Sequence, residues 1–416
     1  MSRSLGGQKR QQTIISRYRK GEFAPLPTVL WVLALAIAGL QGCPEGESDD
    51  DATNTETPAS PEPTEAGTLE PSPGTTPTST PSSSPTPTPA PSFTPTPNPT
   101  PPPQPGPPAP IFITLAGHIE HAEAYTVCDL YSSYRTKLLE FADYMAGTGA
   151  TFNLQMEYEF LVGVRDCETE EMMASTDGLN VLEYLGTVRG FELDPHQEGG
   201  TEEGADNYAD IRYLLGELVS VPTETVGGLV WEDPYQFETL ENGETGWIYE
   251  DFTWYPDILT LGVGALHHEG NFDFDDLTSG VWRPAGGDEA FFVHDPETRV
   301  IYVGPGLQHQ NWGGGECAFE DIADYVGVLV DYMDAGRIPR NAIYTGTLAV
   351  PQSVIFDRSR HGEVGAILDK LEPYVASGRV VYATYREVVR AWLDRFDGEP
   401  NLFLFDDIDP ADYTCE

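Results

Sequence analysis

From residue 111 onward, apolar runs of strand length alternate with segments whose apolar positions recur at helical spacing. The segments that read as strands are an opening strand that begins at Ile111, followed by 150–156, 190–193, 225–231, 342–350 and 380–383. The segments that read as helices are 132–145, 179–185, 207–218, 318–335, 363–377 and 385–394. Strands that alternate with helices predict an α/β fold with a mainly parallel sheet, and this number of units indicates a closed or nearly closed (β/α) barrel.

One long stretch, residues 232–315, breaks this alternation. It is rich in Gly, Asp and aromatic residues and contains Trp247, Trp254, Trp282 and Trp312. We expect long loops here that cover the mouth of the barrel. Their aromatic side chains would either pack against sugar rings or fill a second small core, and the sequence leaves both alternatives open.

The first 43 residues have the layout of an export signal. A basic region with six Lys and Arg residues precedes an apolar segment at 26–40, and the sequence Leu-Gln-Gly then leads to Cys43. About 15 apolar residues are few for a membrane-spanning helix. The Leu-x-Gly-Cys ending resembles the lipobox of bacterial lipoproteins, which implies cleavage before Cys43 and acylation of its thiol. An ordinary signal peptide or an anchor helix is the alternative.

Residues 44–110 contain almost no large apolar side chain, and Thr-Pro pairs recur between 75 and 101. Such a segment buries too little apolar surface to offset the entropy cost of ordering, so we expect a disordered, extended tether. Residues 111–416 then form one domain. The expected location is outside the cytoplasm, on a lipid anchor at the cell envelope, either at the outer membrane or at the cell surface.

The charge balance is strongly acidic. The chain has 22 Lys and Arg against 67 Asp and Glu, a formal net charge of −45. Within the domain the only lysines are Lys137 and Lys370. This charge argues against nucleic acid or anionic lipid as a partner of the domain. Adaptation to salt, cation binding or solubility would each account for it.

Four cysteines follow Cys43, and an even number in an exported chain predicts disulfides. Four cysteines allow three pairings. The preferred pairing joins Cys128 to Cys167 and Cys317 to Cys415, of which the second would fasten the carboxyl terminus.

Two of the predicted strands end in His and acidic residues. The first carries His118 and Glu120, and the second carries Asp194, His196 and Glu198. Barrels of this class collect their chemistry at the carboxyl ends of the strands. If the first strand continues, residues 118 and 120 point to the same side, because side chains alternate with a period of two.

His118, Glu120 and His196 would together supply two imidazoles and a carboxylate, the ligand set of a catalytic zinc centre with one position open for water. Iron or manganese would accept the same ligands. Asp194 or Glu198 would then serve as general base. The alternative is that both histidines are strand-end residues whose nitrogens bond to the backbone.

Several segments resemble the NodB-type polysaccharide deacetylases. They are 117–121 (GHIEH), 191–196 (FELDPH) before the helix at 207–215, 281–284 (VWRP), and 382–389 (YATYREVV). The resemblance covers most of residues 111–394 and implies an incomplete, seven-stranded (β/α) barrel that removes acyl groups from amino sugars with the help of a metal. It also implies that Arg283 orients the base or the substrate.

The sequence departs from the family pattern in four places. His118 and Glu120 stand where the family has an Asp-rich motif, and Gly200 stands four residues after His196 where a second His is expected. The Arg283-Pro284 spacing differs by one residue, and the segment around Leu348 lacks the late His. Two hypotheses follow: a metal-dependent polysaccharide deacetylase, or a catalytically inactive barrel that binds glycans or has a structural role.

Overall fold

The computed structural model describes residues 107–120, 123–197, 206–221, 223–227, 234–260, 277–287, 290–307, 317–318, 321–404, 407–408 and 414–415. The predicted signal segment, Cys43 and almost all of the predicted tether lie outside these residues. None of the helices within the described ranges is long and apolar enough to cross a membrane.

The strands are numbered in chain order. They are β1 Ile111–Ile119, β2 Phe152–Met156, β3 Glu192–Pro195, β4 Thr225–Gly227, β5 Glu244–Thr245, β6 Thr253–Trp254, β7 Ile258–Thr260, β8 Leu277–Trp282, β9 Ile301–Leu307, β10 Cys317–Ala318, β11 Tyr344–Ala349, β12 Val380–Tyr382 and β13 Thr414–Cys415.

The α-helices follow the same convention. They are α1 Cys128–Ala146, α2 Tyr158–Cys167, α3 Glu170–Met173, α4 Val181–Thr187, α5 Tyr208–Leu218, α6 Pro234–Asn242, α7 Ile322–Asp334, α8 Gln352–Ile355, α9 His361–Ala376 and α10 Tyr385–Arg395.

The central sheet is parallel. Its strands follow the order β11-β1-β2-β3, and β12 also pairs with the beginning of β1. A second sheet has the order β4-β7-β9-β8, in which β8 alone runs antiparallel. A parallel bridge between His196 and Gly227 joins the end of β3 to β4. The prediction of an α/β chain with a mainly parallel sheet is confirmed.

The sheet has an apolar side and a polar side because its strands alternate. Leu154 and Met156 of β2 and Leu193 of β3 belong to the large apolar cluster that includes side chains of α1, α2 and α7. Asn153 and Glu192 occupy the alternate positions and are buried on the other side. Burial of one face under helices is the usual arrangement of a parallel sheet, whereas a polar opposite face is not.

The prediction of loops over residues 232–315 is wrong for the described part of that stretch, which contains α6 and strands β5 to β9. These strands are short or contain glycine, so their period-two pattern is weak. Trp254 and Trp282 lie in a second apolar cluster with Phe291 and Tyr302. For these two tryptophans the second-core alternative is therefore the correct one, and Trp312 lies outside the described residues.

Helix α2 has no counterpart among the predicted elements. Its buried residues include Phe160, Leu161 and Val164, and a Cβ on Gly163 would lie 2.3 Å from the Tyr125 carbonyl oxygen. The segment contains two valines and a glycine, which are poor helix formers, so packing rather than propensity determines this helix.

A disulfide joins Cys128 at the start of α1 to Cys167 at the end of α2, as predicted. Cys317 and Cys415 are register partners in the antiparallel pair of β10 and β13. That register agrees with the second preferred pairing, which stays a prediction.

Candidate functional site

Two imidazoles meet at the carboxyl ends of β1 and β3. The ring centroids of His118 and His196 are 3.9 Å apart, with their planes tilted by 30°. His196 is buried and His118 is partly exposed. Strand β2 separates the two parent strands in the sheet, so the rings converge above its end.

Gln155 lies in the row of residues between these strands. It is the register partner of His118 on β1 and of Asp194 on β3. The Gln155 side chain is 0% exposed, and its amide oxygen and nitrogen have no hydrogen-bond partner among the described residues. Buried amides without partners are uncommon in native proteins and cost about 1–3 kcal/mol each.

Gly227 at the end of β4 makes room for this amide. A Cβ on Gly227 would lie 1.9 Å from Gln155 Oε1, a distance no real contact shows. Gly227 also bridges to His196 and accepts a hydrogen bond of 2.9 Å from the Tyr208 hydroxyl. The Gln155 amide therefore reaches from β2 to β4 beside His196.

A buried carboxyl pair, Glu192 and Asp194, lies on the polar face of β3 beside the Asn153 amide. Asn153 Nδ2 donates to Glu192 Oε2 at 3.0 Å and to Asp194 Oδ2 at 2.6 Å. Glu192 also accepts from the backbone N–H groups of Tyr385 and Arg386 at the start of α10. These donors supply the hydrogen bonds that a buried carboxylate requires.

Burial raises the pKa of both carboxyls. The charge of Glu192 raises the pKa of Asp194 further, while the N–H of Thr225, which donates to Asp194 Oδ1 at 3.1 Å, acts in the opposite direction. Asp194 was predicted as a candidate general base. The structure places it in the same row of the sheet as Gln155 and His118, fully buried, with both carboxylate oxygens accepting hydrogen bonds.

Glu120 follows the last residue of β1. Its backbone N–H donates to Gln352 Oε1 at 2.7 Å, and Gln352 Nε2 donates to the Tyr125 hydroxyl at 2.6 Å. Burial is the main cause that raises the pKa of Tyr125, and the charges of Tyr134, Glu120 and Glu157 contribute less. Gln352 therefore links the backbone of Glu120 to the Tyr125 hydroxyl.

Glu157 is a buried acid that the sequence analysis missed. It follows β2 directly, and its backbone N–H donates to the Ile119 carbonyl at 3.2 Å. The Glu157 charge contributes, after burial, to the raised pKa values of both Tyr125 and Tyr208. The signal was an acid at the end of a correctly predicted strand, the same signal that indicated Glu120 and Asp194.

Arg283 lies elsewhere. Strand β8 runs antiparallel to β9, so Arg283 follows Trp282 at the amino-terminal end of β9. Its guanidinium donates to the carbonyls of Thr298 and Arg299 and lies over the Trp392 ring, 5.8 Å from the centroid. These contacts do not support the predicted role of Arg283 in orienting the base or the substrate.

The predicted metal ligands are not assembled as a set of three. Across the ranges that the structure describes, no group of three or more His, Cys, Asp or Glu side chains is placed to hold a metal ion. His118 and His196 offer two imidazoles. Glu198, the third catalytic candidate, lies outside the described residues. So do His121 and two further segments that carry histidines, residues 267–269 and 308–310. The zinc centre stays a prediction.

Comparisons with known proteins give distant likenesses. No protein-family model matches the chain, and no curated protein matches it. Among solved structures, the chain is similar to PuuE allantoinase, with 11% identity over 68% of this chain and 91% of that chain and a TM-score of 0.40. It is similar to a 4-alpha-glucanotransferase from Thermococcus litoralis, with 12% identity over 71% of this chain and 42% of that chain and a TM-score of 0.35.

A probable polysaccharide deacetylase from Pseudomonas aeruginosa PAO1 has 11% identity over 68% of this chain and 91% of that chain, with a TM-score of 0.32. None of the three TM-scores exceeds 0.40. The assignment of a function therefore depends on the residues of the site.

Proposed function

We propose that this chain is a hydrolase that removes acyl groups from amino sugars, with its reaction centre at His118 and His196. The observation that carries the proposal is the contact of the two imidazoles, 3.9 Å between centroids, at the carboxyl ends of two strands of one parallel sheet. Ligands of open α/β sheets bind at this edge. We further propose that the two sheets close into a barrel, since Thr345 of β11 bonds to Ser279 of β8 and Gly304 of β9.

The site residues divide the chemistry between them. A neutral imidazole can accept a proton from water as a general base, and such a base contributes roughly 10² to 10⁴ in rate. Glu157, which directly follows β2, is the carboxylate that we assign to assist the two histidines, because both oxygens of Asp194 already accept hydrogen bonds from Thr225 and Asn153. His118 and His196 thus take and return the proton, and Glu157 favours the imidazolium that forms.

In this proposal His118 and His196 would also hold a divalent metal, which elemental analysis measures. Imidazole nitrogens are ordinary ligands of zinc, iron and copper. Two imidazoles make an incomplete ligand set, and the proton transfers described above require only His118, His196 and Glu157. We also propose that the chain is exported and anchored at the envelope through acylated Cys43, which mass spectrometry of the mature amino terminus would test.

The experiment is an acetate-release assay on N-acetylated amino-sugar oligomers, together with elemental analysis of the purified chain. It compares the wild type with the His118→Ala, His196→Ala double variant. We expect the double variant to lose about 10² to 10⁴ in rate. Any bound transition metal should be lost with it. His294→Gln is the matched control, because His294 Nδ1 only accepts the Arg283 backbone N–H at 3.1 Å. Equal rates in the wild type and the double variant would contradict the proposal.

The second candidate function is a glycan-binding domain without catalysis. Two observations favour it: Asp194 is committed to hydrogen bonds inside the sheet, and the described residues contain no three-ligand metal group. A wild-type chain that binds oligomers in calorimetry but releases no acetate, with or without added zinc, would establish this alternative.

A further inference from the structure

The loop between β5 and β6 is built around one buried carboxylate. Asp210 in the first turn of α5 accepts the backbone N–H groups of Trp247 at 2.9 Å, Ile248 at 3.0 Å and Tyr249 at 2.9 Å. A Cβ on Gly246 would lie 2.4 Å from Asp210 Oδ1, so this close approach requires glycine. Three consecutive amide donors on one carboxylate fix the backbone of the loop.

The side chains of this loop point in two directions. The Tyr249 ring stacks on Tyr213, with centroids 4.0 Å apart, and its hydroxyl is 3.2 Å from that of Tyr158. Trp247 and Ile248 point outward and are each 46% exposed. An exposed indole on a fixed backbone loses little conformational freedom when it binds a ligand, which favours affinity.

This loop is attached to the edge of the sheet that carries the candidate site. Asp210 lies two residues after Tyr208, whose hydroxyl donates to the Gly227 carbonyl at 2.9 Å. Gly227 in turn bridges to His196. A ligand that extends from the histidines along this edge therefore approaches the helix that holds Trp247 in place.

The charge around the loop limits which ligand fits. Glu250 and Asp251 are exposed in the same loop, and the chain as a whole has a net charge of −45. Anionic polymers are repelled by such a surface, whereas neutral or cationic ones are not. An apolar indole face beside carboxylates matches a sugar ring whose C–H face is apolar and whose amine is acetylated or protonated.

We propose that Trp247 and Ile248 form a subsite for a neutral or cationic amino-sugar ring of a polymer, next to the hydrolytic centre. The choice of an amino sugar rests on the proposed function. The subsite would bind rings that flank the one whose acyl group is removed, and it would accept the protonated amine of a deacetylated ring.

The test measures binding separately from turnover. Chitosan oligomers, N-acetylated chitin oligomers and oligogalacturonate are titrated calorimetrically into the full chain carrying His118→Ala and His196→Ala, with and without Trp247→Ala. We expect both amino-sugar oligomers to bind, and Trp247→Ala to weaken their binding roughly 10-fold or more. Trp247→Phe should restore part of the affinity. Leu393→Ala is the matched control, since Leu393 is an apolar residue of α10 that is also 46% exposed.

Unchanged affinity in Trp247→Ala, or oligogalacturonate binding as tight as chitosan binding, would overturn the subsite. Its failure is distinguishable from failure of the proposed function. Binding that depends on Trp247, together with no acetate release by the wild type, supports the subsite and contradicts the hydrolase. Acetate release with no effect of Trp247→Ala on binding supports the hydrolase and removes the subsite.

Discussion

The two sheets differ in what they bury. The polar face of β2 and β3 in the central sheet buries two amides, two carboxyls and an imidazole. Strands β8 and β9 of the second sheet bury aromatic rings around Trp282, whose ring centroid is 4.8 Å from that of Tyr302 and whose indole N–H donates to the Phe291 carbonyl at 2.7 Å. The first arrangement costs stability and offers chemistry, and the second offers stability alone. Arg283 directly follows β8 of the second sheet, although its sequence context resembled a catalytic motif.

The largest expected loss of stability comes from removing an aromatic residue of the second sheet. Trp282→Ala should lower the free energy of unfolding by about 3–5 kcal/mol, because it removes a fully buried ring and leaves a cavity. Denaturant unfolding would measure this change. The acetate-release rate per folded molecule should stay the same, and a rate that falls along with stability would show that the second sheet takes part in the chemistry.

The second prediction concerns Asp194. Asn offers one carbonyl oxygen where Asp194 accepts two hydrogen bonds, so Asp194→Asn should cost roughly 1 kcal/mol at pH 4. Because the pKa of Asp194 is raised in the folded state, the wild type loses stability as the pH rises from about 4 toward that pKa. Asn carries no such proton, so the difference between the two proteins should shrink as the pH increases.

Unfolding curves at several pH values would check the Asp194 prediction. Asp394→Asn on the exposed side of α10 is the control and should leave the pH dependence unchanged. A stability difference that stays constant from pH 4 to pH 9 would mean that Asp194 titrates normally, as it would on the protein surface.

A third prediction separates stability from function at one residue. Gln155→Met removes a buried amide that has no hydrogen-bond partner among the described residues and keeps a similar volume. We expect the unfolding free energy to stay equal or rise by about 1 kcal/mol while acetate release falls. Asn153→Met, whose amide donates two hydrogen bonds, is the contrasting variant and should destabilise the fold. Loss of stability in Gln155→Met would indicate that this amide supports the structure.

The smallest combined effect, a small loss of stability with no loss of activity, is expected at Arg283. Arg283→Met removes hydrogen bonds to the Thr298 and Arg299 carbonyls, and partial exposure of the guanidinium should keep the cost near 1 kcal/mol. Acetate release should not change. A drop of 10² or more in rate at unchanged stability would place Arg283 in the site. It would also mean that the second sheet, like the central sheet, contributes to the chemistry.

Local pattern was sufficient for much of the fold. The strand at 150–156 and the helices at 207–218, 363–377 and 385–394 correspond to β2, α5, α9 and α10 within a few residues. In the last helix the signal was strong, since Thr384 and Glu387 form a capping box. Strands β5 to β9 were missed because they are short or contain glycine, so that pairing with neighbours rather than local periodicity makes them strands.

The site was predictable where strand ends carry His or acid, as with His118 and His196. Gln155 was not, because nothing in a sequence shows that an amide will lack partners, and that depends on Gly227 in another strand. Arg283 was misplaced for a related reason. A local motif does not reveal that β8 runs antiparallel to β9. Strand β8 therefore ends beside the amino-terminal end of β9, away from the carboxyl ends of the parallel strands.

The hydrogen bonds of Glu192 also have a consequence for the order of folding. Its carboxylate depends on the N–H of Tyr385, which lies 193 positions later in the chain. In a chain that crosses a membrane amino terminus first, β1 to β3 arrive before this donor does. We therefore expect the early sheet to keep its polar face hydrated, and the final compaction to wait until α10 has arrived.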